Sequence, residues 1–150
     1  MVRSAAIGRL LALAACTALF AGPLPAEDPT PAIVRLVRDC SRALQSGNAA
    51  LFMGAFERRR YDRYQALREQ ITALTAQRRI ASSVAAGPAT GGPDEWHVSV
   101  DWLVELTPKL DPGPLERRRQ TVVLRAAKRG GRWKFFDLEP LEFFAASRDD

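Results

Sequence analysis

Residues 96–106 read WHVSVDWLVEL. Trp96, Val98, Val100, Trp102, Val104 and Leu106 alternate with His97, Ser99, Asp101, Leu103 and Glu105. A strict period of two puts the six apolar side chains on one face of a sheet and the other set on the opposite face. Two more strand-like runs follow, over 116–128 and 132–144. Gly130-Gly131 between them reads as a two-residue hairpin turn. The last run is rich in aromatics (Trp133, Phe135, Phe136, Phe143 and Phe144), and Pro140 within it implies a bulge or an edge position, because proline cannot donate to a ladder. The stretch 80–86, IASSVAA, completes a set of four strands. Residues 87–94 and 107–115 are glycine- and proline-rich and read as loops.

Upstream the period changes to that of helices. Thr30 followed by Pro31 is a helix start, with a hydroxyl N-cap and proline at the first helical position. Ile33, Leu36, Val37, Cys40 and Leu44 then form one stripe. Gly47 can close this helix and Asn48 can cap the next. A second helix is predicted over 49–59, with Leu51, Phe52, Ala55 and Phe56 inward. A third is predicted over 62–77, with Tyr61, Tyr64, Leu67, Ile71 and Leu74 on one stripe. Helices first and strands after predict an α+β domain. N-terminal helices cover one face of a mainly antiparallel, four-stranded sheet.

The first 26 residues are a different polymer. Arg3 and Arg9 precede the uncharged run LLALAACTALFA over 10–21, and the first acids are Glu27 and Asp28. A basic start, a short apolar run and a small residue before polar sequence describe a secretory signal. The run is shorter than the about 20 residues a membrane-spanning helix needs. The division read here is a signal peptide over 1–26 and one domain over 27–150, which places the protein outside the cytoplasm, in the periplasm or secreted. Cleavage near Ala26 is the preferred reading. The alternative is lipidation at Cys16, in the lipobox-like Leu13-Ala14-Ala15-Cys16, which would anchor the protein to a membrane. After cleavage Cys40 is the single cysteine, so no internal disulfide can form. Loss of Arg3 and Arg9 leaves 20 basic residues against 17 acids, a net charge of +3 rather than +5.

The organisation resembles the nuclear transport factor 2-like superfamily, the cystatin-like α+β cone that includes SnoaL-like proteins and ketosteroid isomerases. The residues that carry the resemblance are Leu44-Gln45-Ser46-Gly47-Asn48 at the end of the first helix, the segment from Phe52 to Phe56, Val100-Asp101-Trp102, and Arg129-Gly130-Gly131-Arg132-Trp133-Lys134-Phe135. The resemblance covers most of residues 31–145. It implies a curved sheet and helices enclosing a pocket at the wide end of a cone. On that basis Tyr61, Tyr64 and Trp102 are the candidate pocket-lining residues.

The chemistry is less informative than the fold. His97, Ser99 and Asp101 share a strand face, where neighbours lie about 6.6 to 6.8 Å apart. A catalytic triad needs contacts of about 2.6 to 3.2 Å, so a polar sheet face is the better reading. No spacing suits zinc, no glycine loop cradles a phosphate, and no cofactor is implied. The runs Arg58-Arg59-Arg60 and Arg117-Arg118-Arg119 read as solvated surface rather than a nucleic-acid site. The reading is an exported, non-catalytic binding or interaction module, paired with a second copy through the exposed sheet face. A small hydrophobic ligand is compatible with it. The alternative is a SnoaL- or ketosteroid isomerase-like isomerase or dehydratase that works on a hydrophobic small molecule through Tyr61 or Tyr64.

Overall fold

The computed structural model describes Gly22 and residues 27–146. The expected signal segment, Cys16 and the last four residues lie outside the described residues. Three helices, α1 (Thr30–Gln45), α2 (Ala49–Met53) and α3 (Tyr64–Gln77), precede the strands. The strands are β1 (Arg78–Ala86), a two-residue β2 (Thr90–Gly91), β3 (Trp96–Pro108), β4 (Glu116–Arg129) and β5 (Arg132–Glu139), and a 3-10 turn over Leu141–Phe144 follows.

Helix α1 is started by Asp28, not by Thr30 as the sequence suggested. The Thr30 N–H donates to Asp28 Oδ1 at 2.9 Å, while the Thr30 hydroxyl accepts the Ala89 N–H at 3.2 Å. An aspartate can bond the backbone two residues ahead, which leaves the threonine free to tie the helix to the loop before β2. The helix ends as read. Gly47 sits at φ +65°, Gly47 N–H donates to Leu44 O, and Asn48 N–H donates to Ala43 O. These two bonds satisfy the last carbonyls in a Schellman ending. Asn48 then caps α2 by accepting the Leu51 N–H at 2.9 Å.

Helix α2 is shorter than the 49–59 expected and stops at Met53. Beyond Gly54 the chain is extended beside β5: Phe135 N–H donates to Ala55 O at 2.8 Å and Glu57 N–H donates to Phe135 O at 2.7 Å. A sheet edge satisfies these backbone groups as well as helix would, and it buries Phe56. Leu51, expected inward, is 60% exposed.

The sheet is open and curled, in the order β1-β3-β4-β5, with every neighbour antiparallel. Pair Ala86↔Val100 gives way to Thr90↔His97, a slip of one residue that makes β2 a bulged continuation of β1. Gly130 and Gly131 both have positive φ, 54° and 76°, as a mirror-image hairpin turn requires. In β5 the pairing steps from Arg125↔Asp137 to Ala126↔Phe135, which leaves Phe136 as the extra residue of a bulge. The last strand ends at Glu139 rather than at 144. Pro140 has no N–H for the ladder, and the chain winds into the 3-10 turn that places Phe143 and Phe144 in the core.

Val98, Val100, Trp102, Val104 and Leu106 are all buried on the helix-facing side of β3, and Trp96 is half-buried. Burial of this set against α1 and α3 is the main stabilising term, at about 25 cal/mol per Å².

Candidate functional site

The interior, where a cone-shaped fold would hold a pocket, is occupied by side chains. Trp102, Phe52, Phe135, Phe143 and Phe144 are the largest fully buried residues. Phe144 meets Trp102 edge-on with ring centroids 5.1 Å apart, and Phe143 meets Phe144 the same way at 4.9 Å. Phe52 stacks on Phe56 at 5.5 Å, and Phe56 tilts against Phe135 at 5.6 Å. Edge and offset contacts at these distances are the favoured geometry of packed aromatics. The polar end of the Trp102 indole is also satisfied internally. Its N–H donates to Ser82 Oγ at 2.9 Å, and Ser82 shares a 2.7 Å hydrogen bond with Ser41.

The three candidate pocket residues therefore occupy different environments. Trp102 is at the centre of the aromatic core. Tyr64 is half-buried at the start of α3. Tyr61 is buried and stacks on Phe56 at 5.8 Å, and no side-chain or backbone group among the described residues is placed as a hydrogen-bond partner of its hydroxyl. The nearby Leu138 N–H donates to Asp137 Oδ1 at 3.0 Å. Burial pushes the Tyr61 phenol up to about 12, opposed by the Arg63 charge and reinforced by Asp137. Arg63 holds the remaining polar groups of this corner. Its Nη2 donates to Asp137 Oδ1 at 3.2 Å, to Leu138 O at 3.0 Å and to Glu139 Oε1 at 3.3 Å. At neutral pH the phenol is a hydrogen-bond donor and not a base.

The opposite face of the sheet carries His97, Ser99 and Asp101, as the alternation implied. His97 and Ser99 are exposed, and Asp101 is held by Arg119, whose Nη2 donates to Oδ2 at 2.5 Å. Hydrogen bonding from Arg119 lowers the Asp101 pKa below the usual carboxylate range. Arg117 donates to Glu105 one rung away. Arg118, read as solvated surface, is instead buried at 2% exposure. Strand alternation sends it inward between its two exposed neighbours. There Nη1 donates to Phe143 O at 3.0 Å and Ala145 O at 2.5 Å, and Nε donates to Glu116 Oε1 at 2.5 Å. Arg118 thereby clamps the 3-10 turn to β4.

Cys40 is 1% exposed, and burial, followed by the Asp39 charge, pushes its thiol pKa well up. It borders a groove of about 440 Å³ between α1 and α2, together with Leu36, Leu51 and Ala55. A protonated, buried thiol packs as a small hydrophobe. Among the described residues, no group of three or more His, Cys, Asp or Glu side chains could hold a metal ion. Among the same residues, no helix is long and apolar enough to cross a membrane.

One cluster joins residues far apart in sequence. Arg60 lies 4.0 Å above the Phe136 ring and Arg125 lies 5.0 Å from it. Glu95 bridges the two guanidiniums: Oε1 accepts from Arg60 and Oε2 accepts from Arg125 at 2.7 Å. The hydrogen bond from Arg125 lowers the Glu95 pKa. Beside this stack, Arg60, Lys128, Arg129 and Trp133 line a cleft of about 360 Å³.

No protein-family model matches the sequence, and neither does any curated protein. Solved structures do match. A protein of Novosphingobium aromaticivorans, provisionally described as an aromatic ring hydroxylase, aligns at TM-score 0.65 and 16% identity, over 77% of this chain and 88% of its own. A ketosteroid isomerase-like protein of Erwinia carotovora atroseptica aligns at TM-score 0.59 and 10% identity, over 73% of this chain and 92% of its own. A Nostoc punctiforme protein of unknown function with a cystatin-like fold aligns at TM-score 0.51 and 17% identity, over 73% and 90%. The chain thus has the cystatin-like α+β fold that its sequence resemblance implied. At these identities the likeness is one of fold, and fold alone assigns no reaction.

Proposed function

We propose that this protein is an exported, non-catalytic binding or interaction module that pairs with a second copy through the outer face of its sheet. The observation that carries the reading is the filled interior. Phe144 packs edge-on against Trp102 and Phe143, and Phe143 tilts against Trp102, where a substrate would otherwise sit. The outer face has the features of a pairing surface. Leu103 and the 37%-exposed Val123 lie among small residues, flanked by the Glu105–Arg117 and Asp101–Arg119 pairs. Such alternating charge is self-complementary under a two-fold axis. Sedimentation of the mature protein tests this part. A dimer at micromolar concentration that Val123→Glu dissociates is expected, and a monomer across that range would sink it. Export rests on the Arg3 and Arg9 start and the apolar run that follows. The mass of the mature protein distinguishes cleavage near Ala26 from a lipidated Cys16.

A second reading, a small isomerase- or dehydratase-like enzyme, draws on the buried Tyr61 hydroxyl beside Asp137 and on the ketosteroid isomerase-like structural neighbour. It requires a substrate to displace packed aromatics and reach the phenol. Turnover that Tyr61→Phe abolishes without loss of stability would establish it in place of the first.

A further inference from the structure

The two arginine runs meet different fates. In the second, Arg117 and Arg119 are paired with acids across the sheet and Arg118 is buried. The first is carried to the far end of the molecule, because residues 55–57 run beside β5. Arg60 thereby arrives near the turn end of the β4–β5 hairpin, by Lys128 and Arg129. The cleft there is lined by Arg60, Pro93, Asp94, Lys128, Arg129 and Trp133. We propose that this cleft binds a small organic anion, a carboxylate or phosphate monoester carried on a flat apolar ring. The proposal rests on the reading of the domain as a binding module and names one class of ligand for it.

Charge is the first argument. Arg60, Lys128 and Arg129 line the cleft against one carboxylate, Asp94. Arg125 and Glu95 pair beside it, and Glu27, Asp28 and Arg35 share the adjoining groove with Lys128 and Trp133. Glu95 is shared between two guanidiniums, and Lys128 and Arg129 have no ion-pair partner among the described residues. The cleft therefore keeps an excess of positive charge. Arg60 is held in place by Glu95 and by the Phe136 ring beneath it. A guanidinium fixed in this way loses less freedom on binding an anion than a free one.

Trp133 supplies the apolar part. The indole is half-buried, packs against the core and forms one wall of the cleft. A ring whose body is fixed and whose face is accessible is a stacking surface for a flat ligand. The walls are preformed: the Gly130-Gly131 turn fixes the hairpin, and Lys134 Nζ donates to Gly54 O across the strand edge. The volume, about 360 Å³, is at the low end of small-molecule sites, which run from about 300 to 1,000 Å³. It suits one ring and one anionic group and not a peptide or a helix.

The test uses the mature protein, labelled with ¹⁵N and titrated with phenyl phosphate, inorganic phosphate and phenol. The expected result is saturable shifts at the Lys128 and Arg129 amides and the Trp133 indole with phenyl phosphate. Inorganic phosphate and phenol should each bind about tenfold more weakly, because each lacks one of the two contacts. Lys128→Gln with Arg129→Gln, both exposed positions, should weaken phenyl phosphate by about tenfold or more while leaving the remaining spectrum unchanged. Shifts that do not saturate, equal affinity for inorganic phosphate, or unchanged binding by the double variant would overturn the site. So would binding to phosphatidylglycerol vesicles that the double variant loses while phenyl phosphate has no effect on the labelled protein. Sedimentation and turnover on the same sample separate the two claims. A silent cleft in an inert dimer refutes the site alone, whereas turnover refutes the module reading and leaves the titration to stand.

Discussion

Trp102→Ala is the substitution that most directly asks whether the interior is solid. The indole is fully buried, its N–H is bonded to Ser82, and Phe143 and Phe144 lie 6.4 and 5.1 Å away by ring centroid. A large aromatic side chain buries about 150–250 Å², which at about 25 cal/mol per Å² is worth about 4–6 kcal/mol. Collapse of the neighbours into the void would recover part of this. Two features resist collapse. Phe143 and Phe144 sit on a short turn clamped by Arg118, and Val100 and Val104 are fixed in the ladder. A loss of about 4 kcal/mol is expected, within the range of about 3–5 kcal/mol typical of aromatic-to-alanine changes. Against a total stability of about 5–15 kcal/mol, that leaves the variant marginally folded. Urea unfolding followed by circular dichroism reads the effect as a lower midpoint with an unchanged slope. Trp102→Phe provides the calibration, because it keeps most of the ring and loses the N–H bond, for about 1 kcal/mol plus the smaller ring. A loss below about 1 kcal/mol for Trp102→Ala would mean that the indole borders a void rather than fills one, and the packing argument would fail.

Arg118→Met should cost about 2–3 kcal/mol, because it strips the Phe143 and Ala145 carbonyls of a charged donor. Hydrogen exchange should show the loss concentrated at the amides of residues 143–145. Tyr61→Phe should leave stability at neutral pH unchanged or raised, because no group among the described residues is placed as a partner of the hydroxyl it removes. The same variant has a signature at high pH. The folded-state phenol titrates at about 12, above its ordinary value of 10, so the unfolded chain loses that proton first. Its contribution is complete below pH 10 and is lost as pH rises toward 12, and the difference between wild-type and Tyr61→Phe stability curves should fall across that window. Asn48→Ala should cost about 1 kcal/mol, the usual value of a lost N-cap, by freeing the Leu51 N–H at the start of α2. Thermal unfolding measures it.

Local rules read much of this fold and failed where partners come from elsewhere in the chain. The alternation from Trp96 to Leu106 placed five core residues correctly, because a half-buried strand repeats every two residues. Gly47, Asn48 and the Gly130-Gly131 turn acted as their backbone preferences demand. Thr30 was misassigned as a cap because the helix begins one residue earlier: the Ile33 N–H that a Thr30 cap would accept donates to Pro29 O, and Asp28 accepts the Thr30 N–H. Helix α2 ended early because the edge of β5 offers residues 55–57 another set of hydrogen bonds, and no local pattern announces that. Phe143 and Phe144 belong to a turn rather than to a strand, since Pro140 ends the ladder. Arg118 was legible in principle. It shares parity with Val122 and Leu124, and a period of two applied to the arginine run would have sent it into the core. The Arg60, Lys128, Arg129 and Trp133 cleft was not legible, because it joins two segments about seventy residues apart in sequence that only the pairing of residues 55–57 with β5 brings together.

The central claim is that the inside of this cone is filled and that binding belongs to its surfaces. Diffraction from crystals held under xenon pressure tests it most directly, because xenon enters dry apolar cavities and reports them as strong peaks. No xenon site between α3 and the sheet is expected. A well-occupied site in contact with Trp102, Tyr61 or Phe144 would contradict the account and restore an interior pocket.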